Sequence, residues 1–360
     1  MKKNRVTIAD VASSAGVSIA SVSRVLTNSR KVTPRIRAAV SEAAAELDYR
    51  PDYIARALRR RRTGTIGMVV PHVTNPFYAS LVQGIEIVLH QSRGVPLLGD
   101  SRGDPDLEIR RVRSLLDRRI DGLIIIPADE RASLGIIEEA AENVPVVQLD
   151  SMVEGFRCDF VGIDNRDGIK KLICHLLSLG RTDLAFIGGR RAASPGAERL
   201  RAFIELAPEA KPDGAQRVLV GDGQLEWGKG AADALIEWGS ASARTLVRSG
   251  MIPEAVVCAN DLIAIGVLRG LASEGIAVPG DVLVTGFDDI RYATICSPQL
   301  TSIRQPVDEL SKRAVEILEA RIRSREGGPR IERVQAELVV RGSTRADLPL
   351  RDTVGELLAE

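Results

Sequence analysis

At 360 residues the chain exceeds one ordinary core, and domains of about 100–200 residues predict two or three. It is 44% hydrophobic and 27% charged, as in globular proteins, and no apolar run approaches the roughly 20 residues of a membrane span. Asp10 interrupts the N-terminus before a signal-type apolar stretch forms, so we expect a cytoplasmic protein with no membrane contact.

Charge is distributed unevenly along the chain. Residues 1–62 contain 14 Lys and Arg against 5 Asp and Glu, a net charge of +9, whereas the remaining residues have a net charge of −8. A basic end on an acidic body predicts that the N-terminal end contacts a polyphosphate such as DNA.

The four cysteines, Cys158, Cys174, Cys258 and Cys296, are far apart and form no Cys-x-x-Cys pair. This spacing favours reduced structural thiols over a zinc site. We predict neither a metal ion nor a cofactor.

The first fifty residues predict three short helices. Apolar side chains recur at helical spacing at Ile8, Val11, Ala12 and Ala15, then Val22, Val25 and Leu26, then Ile36, Val40, Ala43 and Leu47. Thr7, with Asp10 three residues on, Ser18 and Thr33 are the predicted N-caps. Gly16 provides the turn between the first two helices, so a helix-turn-helix is expected.

Beyond a linker at residues 51–63, short apolar runs alternate with amphipathic stretches. The runs are TIGMVV, VPLLG, DGLIIIP, VPVVQLD, DFVGID, DLAFIGG, RVLVGD, AVVCAN and VLVTGFD. This alternation predicts parallel α/β sheets covered on both faces. Because residues 64–345 are too many for one such sheet, we expect two similar lobes.

Two patterns resemble enzyme motifs. Residues 99–103 read Gly-Asp-Ser-Arg-Gly, but Asp104 and Pro105 follow where a nucleophile elbow needs a helix at once. Residues 223–230 approach a phosphate loop, but Gly230 replaces the Ser or Thr that binds magnesium. We therefore expect no enzymatic activity.

Residues 6–62 closely resemble the headpiece of the LacI/GalR family of transcriptional regulators. The matching motifs are TIADVA, AGVS, VSRVL, the Tyr-x-Pro before the linker, and ARAL within it. In the body the resemblance continues through NPFY, RIDGLI, VVQLD, ERLRAF, CAND and GFDD, and it covers all but the last ten to fifteen residues. It implies an all-α helix-turn-helix headpiece joined to an α/β periplasmic-binding-protein-like core of two parallel-sheet lobes.

The resemblance also implies a domain organisation. We expect a DNA-binding domain at 1–50, a hinge at 51–63, a core at 64–345 and a tail at 346–360. Within the core, we expect lobe 1 at about 64–163 and 292–325, and lobe 2 at about 164–291 and 326–345. Residues 236–247 look longer than is usual in the family, and the sequence indicates no role for them.

By family analogy, Ile19, Ala20 and Arg24 face the bases of operator DNA. The first two can offer only apolar contact, for example to a thymine methyl, whereas Arg24 can form a bidentate pair with guanine. Further predicted DNA contacts, through phosphates or helix capping, are Thr7, Ser18, Ser21 and Ser23. Ordinary helix and turn serines remain an alternative for the last three.

Residues 53–58 resemble the family's hinge helix, which orders on DNA and inserts a leucine into the minor groove. Leu58 matches that leucine, and Arg56 and Arg59 can reach phosphates or the groove floor. A plain linker is the alternative. The family also implies a homodimer on a palindromic operator, with a tetramer as a further possibility.

The resemblance implies that a small-molecule effector binds between the lobes and controls the affinity for operator DNA. The implied effector-binding residues are Asn75, Phe77, Tyr78, Asp150, Arg199, Asn260, Asp288 and Gln305. The alternatives are that the polar residues merely end strands and that the aromatic pair packs in the core.

The effector class follows from two departures from the family pattern. Gly223 and Ser151 stand where many members place an aromatic residue, which disfavours a flat purine and favours a sugar or sugar acid. The alternative function, a periplasmic-type carbohydrate-binding transport protein, would need a signal sequence and would have no use for residues 1–62.

Overall fold

The computed structural model describes residues 6–26, 32–49, 62–189, 194–207, 218–221, 231–250 and 252–345. The chain divides into two compact units, Met1–Thr63 and Gly64–Glu360. The predicted hinge residues Arg56, Leu58 and Arg59, and the tail at 346–360, lie outside the described residues. Among the described helices, none has the length and apolar character needed to cross a bilayer.

The first unit contains the three expected helices, α1 (Ile8–Ser14), α2 (Ile19–Leu26) and α3 (Pro34–Glu46). A capping box starts α1, because the Thr7 hydroxyl accepts from the Asp10 amide and the Asp10 carboxylate accepts from the Thr7 amide at 2.7 Å. Gly16 has a φ of +63° and forms the turn before α2. The predicted apolar positions meet in one core whose fully or mostly buried members are Val11, Ala12, Val22, Val25, Val40 and Ala43.

The second unit has eight further helices among its described residues. They are α4 (Pro76–Gln91), α5 (Pro105–Asp117), α6 (Leu134–Asn143), α7 (Asn165–Ser178), α8 (Ser194–Leu206), α9 (Ala231–Arg248), α10 (Asp261–Ser273) and α11 (Val307–Arg323). Short 3-10 turns occupy Arg291–Thr294 and Gly342–Thr344.

Twelve described strands form two sheets of six. The strands are β1 (Thr65–Val70), β2 (Val95–Asp100), β3 (Gly122–Ile125), β4 (Val146–Leu149), β5 (Asp159–Ile163), β6 (Leu184–Gly188), β7 (Val218–Val220), β8 (Ala255–Cys258), β9 (Leu283–Asp288), β10 (Thr301–Arg304), β11 (Ile331–Val334) and β12 (Glu337–Val339). The sheet orders are β11-β5-β4-β3-β1-β2 and β12-β10-β9-β8-β6-β7. All neighbours are parallel except β10 and β12. Each predicted apolar run forms a strand, which confirms two parallel-sheet lobes.

The chain crosses between the lobes three times: at Asp164, at Gln305–Pro306 and at Gln335–Ala336. The expected lobe boundaries are wrong at two places. β10 falls in the range expected for lobe 1, but it pairs with β9 in the second sheet. β11 falls in the range expected for lobe 2, but it pairs with β5 in the first sheet. Both strands are short and partly polar, so their sheet is decided by long-range pairing rather than by local pattern.

Helices α9 and α10 of the second lobe pack at very close range. A Cβ placed on Gly266 would overlap the carbonyl oxygen of Ile236, and one on Gly239 would overlap that of Ile263. The contact thus requires the absence of a side chain at both positions. Residues 236–247 belong to α9, and its face against α10 includes Ile236 and Gly239.

Candidate DNA-binding face and effector cavity

Helix α2 separates its residues cleanly into a buried and an exposed face. Val22 and Val25 enter the headpiece core, whereas Ile19, Ala20 and Arg24 are exposed, Ile19 by 47%. An exposed isoleucine at the first turn of a helix gains nothing from folding, which is consistent with a surface reserved for another molecule. The three predicted base-facing residues therefore share the outward face of α2.

Ser18 precedes α2 and acts as its cap. Its hydroxyl accepts from the Ser21 amide at 3.2 Å and lies 3.0 Å from the Ser21 hydroxyl. Ser18 therefore has the capping role that was considered as an alternative to DNA contact. Its exposed hydroxyl group still lies at the positive end of the helix, where phosphate binds readily.

In the second unit, a cavity of about 120 Å³ opens between the carboxyl ends of the strands of both lobes. Since one water occupies roughly 10–15 Å³ of such a cavity, there is room for a small organic molecule. Seven of the eight predicted effector residues line it: Asn75, Phe77, Tyr78, Asp150, Arg199, Asn260 and Asp288. The topology thus brings together residues that are more than 200 positions apart.

A buried ion pair forms the second-lobe wall. The Arg199 Nη1 lies 3.5 Å from Asp288 Oδ1 and 2.7 Å from the Ala259 carbonyl oxygen, to which it donates. The guanidinium also lies over the Phe287 ring, 3.7 Å from its centroid. Burial raises the pKa of Asp288 to about 6 although Arg199 opposes that shift. The pair therefore lies in a poorly solvated site and is hydrogen-bonded to its surroundings.

Asp150 is the polar residue of the first-lobe wall. It follows β4 with a φ of +62° and is 5% exposed. Its Oδ1 accepts no hydrogen bond from any described residue, and neither does the buried hydroxyl of its neighbour Ser151. Burial raises the pKa of Asp150 to about 7, with Asp288 and Glu198 adding to the rise and Arg199 opposing it. A ligand that donates a hydrogen bond here would satisfy a group that the protein leaves unsatisfied.

Several predicted residues combine lining with a structural role. Asn75 caps α4 by accepting from the Phe77 amide at 3.0 Å, and Asn260 caps α10 by accepting from the Ile263 amide at 2.9 Å. Phe77 is 4% exposed and packs in the core while its ring lies 5.5 Å from that of Tyr78. The structural alternatives considered for these residues are compatible with lining the cavity.

Gln305 does not line the cavity. It lies behind Asp288, to which its Nε2 donates at 2.7 Å. Gln305 therefore supports Asp288 in this structure, and a direct contact between Gln305 and the ligand stays a prediction.

Sequence reasoning missed several apolar and small lining residues. Pro71, Pro127, Gly189 and Ala259 each follow the end of a strand and line the cavity. Ligands of open α/β sheets bind outside these carboxyl ends, so the residue after every predicted strand was the available signal.

The enzyme-like serine has no nucleophilic geometry. Ser101 is fully buried and its hydroxyl donates to the Val70 carbonyl oxygen at 3.3 Å. Residues 223–230 lie outside the described part of the chain. Within the described ranges, no three His, Cys, Asp or Glu side chains are grouped so that they could hold a metal ion.

Comparison with known proteins agrees with both units. Residues 7–52 match the bacterial regulatory proteins of the lacI family, and residues 173–344 match a periplasmic binding protein-like domain. The chain is 32% identical to the HTH-type transcriptional repressor PurR of Vibrio parahaemolyticus, covering 94% of this chain and 98% of that protein. It is 34% identical to the ribose operon repressor of Escherichia coli K12, covering 88% and 93% of the two chains.

Solved structures show the same architecture. The lac repressor dimer bound to operator and the anti-inducer ONPF superposes with a TM-score of 0.80 at 26% identity, over 95% of this chain and 99% of that one. A complex of the transcriptional regulator CelR with cellobiose has a TM-score of 0.69 at 30% identity, over 94% and 100%. The chain therefore belongs to the lacI family of bacterial regulatory proteins, as a transcriptional repressor, not an enzyme, that joins a helix-turn-helix to a two-lobed effector-binding core.

Proposed function

We propose that this repressor binds a palindromic operator as a homodimer in the cytoplasm, and that a sugar or sugar acid bound between its lobes controls operator affinity. The observation that carries the effector assignment is the polar character of the cavity. Asp150 and Ser151 offer unpartnered oxygens, while Arg199, Asp288 and Asn260 surround the same space. A polyhydroxylated ligand can donate to the first pair and accept from the arginine.

The ionic arrangement further constrains how such a ligand would lie. Asp150 and Asp288 would repel a carboxylate, so the acidic group of a sugar acid would have to approach Arg199. The apolar surfaces of Phe77, Tyr78 and Leu235 would cover the carbon-bound faces of the ring. The related CelR structure is a cellobiose complex, which supports a carbohydrate without identifying the one used here.

The dimer proposal is supported by exposed apolar side chains on the first lobe. Val95 and Leu98 on the edge strand β2 are 48% and 46% exposed, and Ile87 on the preceding helix α4 is 53% exposed. An edge strand with exposed apolar residues favours pairing with another chain. Two headpieces would then read two half-sites, as a palindromic operator requires.

The effector is tested by thermal-shift screening of a carbohydrate and sugar-acid panel against a panel of purine bases and nucleosides. We expect stabilisation from the first panel only. Asp288→Ala and Arg199→Ala should abolish the shift, whereas Arg248→Ala, on the exposed face of the same lobe, should retain it. Stabilisation by purines alone would overturn the carbohydrate assignment, and a normal shift in both pocket variants would overturn the site.

The DNA proposal is tested by selecting bound sequences from random duplexes. We expect two inverted half-sites, and Arg24→Ala should relax the preference at one base pair of each half-site by about 1–3 kcal/mol. Leu58→Ala should weaken binding to the selected site more than binding to random DNA. A single half-site bound by a monomer would contradict the dimer, and a loss uniform over all sequences would assign Arg24 to phosphates.

A further inference from the structure

The cavity's ion pair is bonded, side chain by side chain, to the segments that join the two lobes. There are three such crossovers among the described residues, at Asp164, at Gln305–Pro306 and at Gln335–Ala336. The first and third lie side by side, because the Asp164 amide donates to the Val334 carbonyl oxygen at 3.1 Å. The second crossover follows β10, and its residue Gln305 donates a hydrogen bond to Asp288.

Arg333 begins the chain of contacts at the third crossover. It lies on β11 of the first lobe, and its Nη2 is 2.9 Å from Glu198 Oε1 on helix α8 of the second lobe. Its Nη1 donates to the Ile163 carbonyl oxygen at 3.1 Å, at the end of β5 and hence at the first crossover. One guanidinium thus connects both lobes and two crossovers.

Asn165 continues the chain towards the cavity. It directly follows the first crossover and is 2% exposed. Its Nδ2 donates to Glu198 Oε2 at 2.7 Å, and its Oδ1 accepts from Arg199 Nε at 2.8 Å. The acid on one side and the guanidinium on the other determine which end of the amide faces which neighbour. An ionised aspartate of the same shape could accept from the guanidinium but could not donate to the acid.

The other end of the chain reaches the second crossover. Arg199 faces Asp288 across 3.5 Å, and Asp288 Oδ1 accepts from Gln305 Nε2 at 2.7 Å. The complete order is Arg333, Glu198, Asn165, Arg199, Asp288 and Gln305. Burial raises the pKa of Glu198, but the hydrogen bonds from Arg333 and Asn165 lower it further than burial raises it. The net pKa is below its usual value, so the carboxylate stays ionised.

We propose that this chain transmits occupancy of the cavity to all three crossovers, with Asn165, Glu198, Arg333 and Gln305 as positioning residues that do not touch the ligand. A ligand group that takes over a bond of Arg199 or Asp288 must change the bonds on their far sides, because buried charges with incomplete partners are costly. Those far-side bonds hold the crossovers, whose arrangement determines how the lobes close. The identity of the signal as an effector rests on the proposed function; the coupling itself does not.

The coupling is measured on the full-length protein without ligand, by amide hydrogen exchange in segment 331–338. Asp288→Asn neutralises the cavity end of the chain and stands in for a change of occupancy. Asn165→Asp keeps the side-chain shape but places a carboxylate against Glu198. We expect each variant to accelerate exchange in this segment by about fivefold, and the double variant to add less than about twofold to either. Asn143→Asp, at an exposed position on α6, should leave the segment unchanged.

A role of Asn165 in local packing alone gives a different result. In that case the effects of Asp288→Asn and Asn165→Asp would multiply, and the proposal would be overturned. The double variant Asn165→Asp, Glu198→Gln moves the negative charge from position 198 to position 165, and every hydrogen-bond donor keeps an acceptor. Hydrogen exchange should therefore return to within about twofold of wild type. If Asn165→Asp does not fold, Glu198→Gln interrupts the same chain and is combined with Asp288→Asn instead. Because these exchange rates are measured without ligand, failure to find an effector would change neither the rates nor the test of coupling.

Discussion

The two lobes share one order of strands, with only the edge strand β12 antiparallel, but present their polar groups to the cavity in opposite ways. In the second lobe, Arg199 and Asp288 are buried and bonded to Asn165, Ala259 and Gln305. In the first lobe, the one buried carboxylate that lines the described cavity, Asp150, has an oxygen with no described hydrogen-bond partner. Similar sheets therefore supply a rigid, satisfied wall on one side and an unsatisfied acceptor on the other, which makes the first lobe the side whose hydrogen bonding a ligand would complete.

Removing the cation tests how much of the second-lobe wall depends on it. Arg199→Met leaves two buried carboxyls without their guanidinium and should destabilise the protein by about 3–5 kcal/mol. Arg199 lowers the pKa of both Asp150 and Asp288, so both values should rise further in the variant. A carboxyl whose pKa is raised in the folded protein destabilises the fold as pH rises from its usual pKa towards the raised one. The loss of stability caused by Arg199→Met should therefore be larger at pH 8 than at pH 5.

Urea unfolding at the two pH values provides the measurement. Arg248→Met, which removes an exposed arginine of the same lobe, should change stability by less than about 1 kcal/mol at either pH. A deficit of equal size at pH 5 and pH 8 would show that Arg199 acts by packing rather than by charge.

Close helix packing gives a second contrast between the lobes. Gly266→Ala places a methyl group against the backbone carbonyl of Ile236, which cannot move without shifting α9. We expect a loss of about 3 kcal/mol in the free energy of unfolding, measured by urea titration. Gly135→Ala in α6 meets no atom within 4 Å and should change stability by no more than about 1 kcal/mol. Equal effects would mean that α9 and α10 do not pack as closely as described.

The first-lobe carboxylate should behave as a stability defect that ligand binding repairs. The folded protein holds the Asp150 proton up to a pKa of about 7, against a usual value of 3.8, so its burial cost grows as pH rises between those values. Asp150→Asn should therefore stabilise the ligand-free protein by on the order of 2 kcal/mol at pH 8, with less gain at pH 5.

The measurement is the unfolding midpoint at both pH values. Asp117→Asn, an exposed position on α5, should show no such pH-dependent gain. A destabilising Asp150→Asn at pH 8 would indicate that its carboxylate already has a partner in solution.

The smallest expected effect concerns the helix pair of the first lobe. A Cβ on Gly84 of α4 would meet the hydroxyl oxygen of Ser311 on α11, which can rotate away, and would lie 3.0 Å from the Ser311 Cβ, which cannot. Gly84→Ala should cost only about 1 kcal/mol. Adding Ser311→Ala should recover part of that loss in the same denaturation assay, because it removes the nearer of the two obstructing atoms. No recovery would place the strain at the Ser311 Cβ and the helix backbones instead.

Most of this fold could be predicted because its central strands are buried on both faces. Such strands are uninterrupted apolar runs, as in TIGMVV and AVVCAN, and each became a parallel strand. The three strands that were not predicted, β10, β11 and β12, are short and carry polar residues, and β11 pairs with the much earlier strand β5. Pairing of that kind is a property of the closed topology and leaves no local periodicity.

The cavity was predictable for a related reason, and only in part. Asp150, Asn260 and Asp288 end or follow apolar strands, so their convergence followed from parallel topology. Asn165 also follows a strand, but it projects onto Arg199 and Glu198 rather than into the cavity. Whether such a residue faces the ligand or supports one that does depends on backbone placement of a few ångströms, which the order of residues does not contain.

The three crossovers have a consequence for how the protein is made. The edge strand Ile331–Val334 belongs to the first sheet, yet it leaves the ribosome only after all of β6 to β10 of the second sheet. Neither lobe can be completed while the nascent chain is still short, and the first waits about 170 residues, or on the order of ten seconds or more at bacterial translation speeds, for its last strand. During that interval the exposed edge of β5 is open to pairing with other chains, so synthesis, rather than the finished molecule, is the stage at which this architecture is most vulnerable to aggregation.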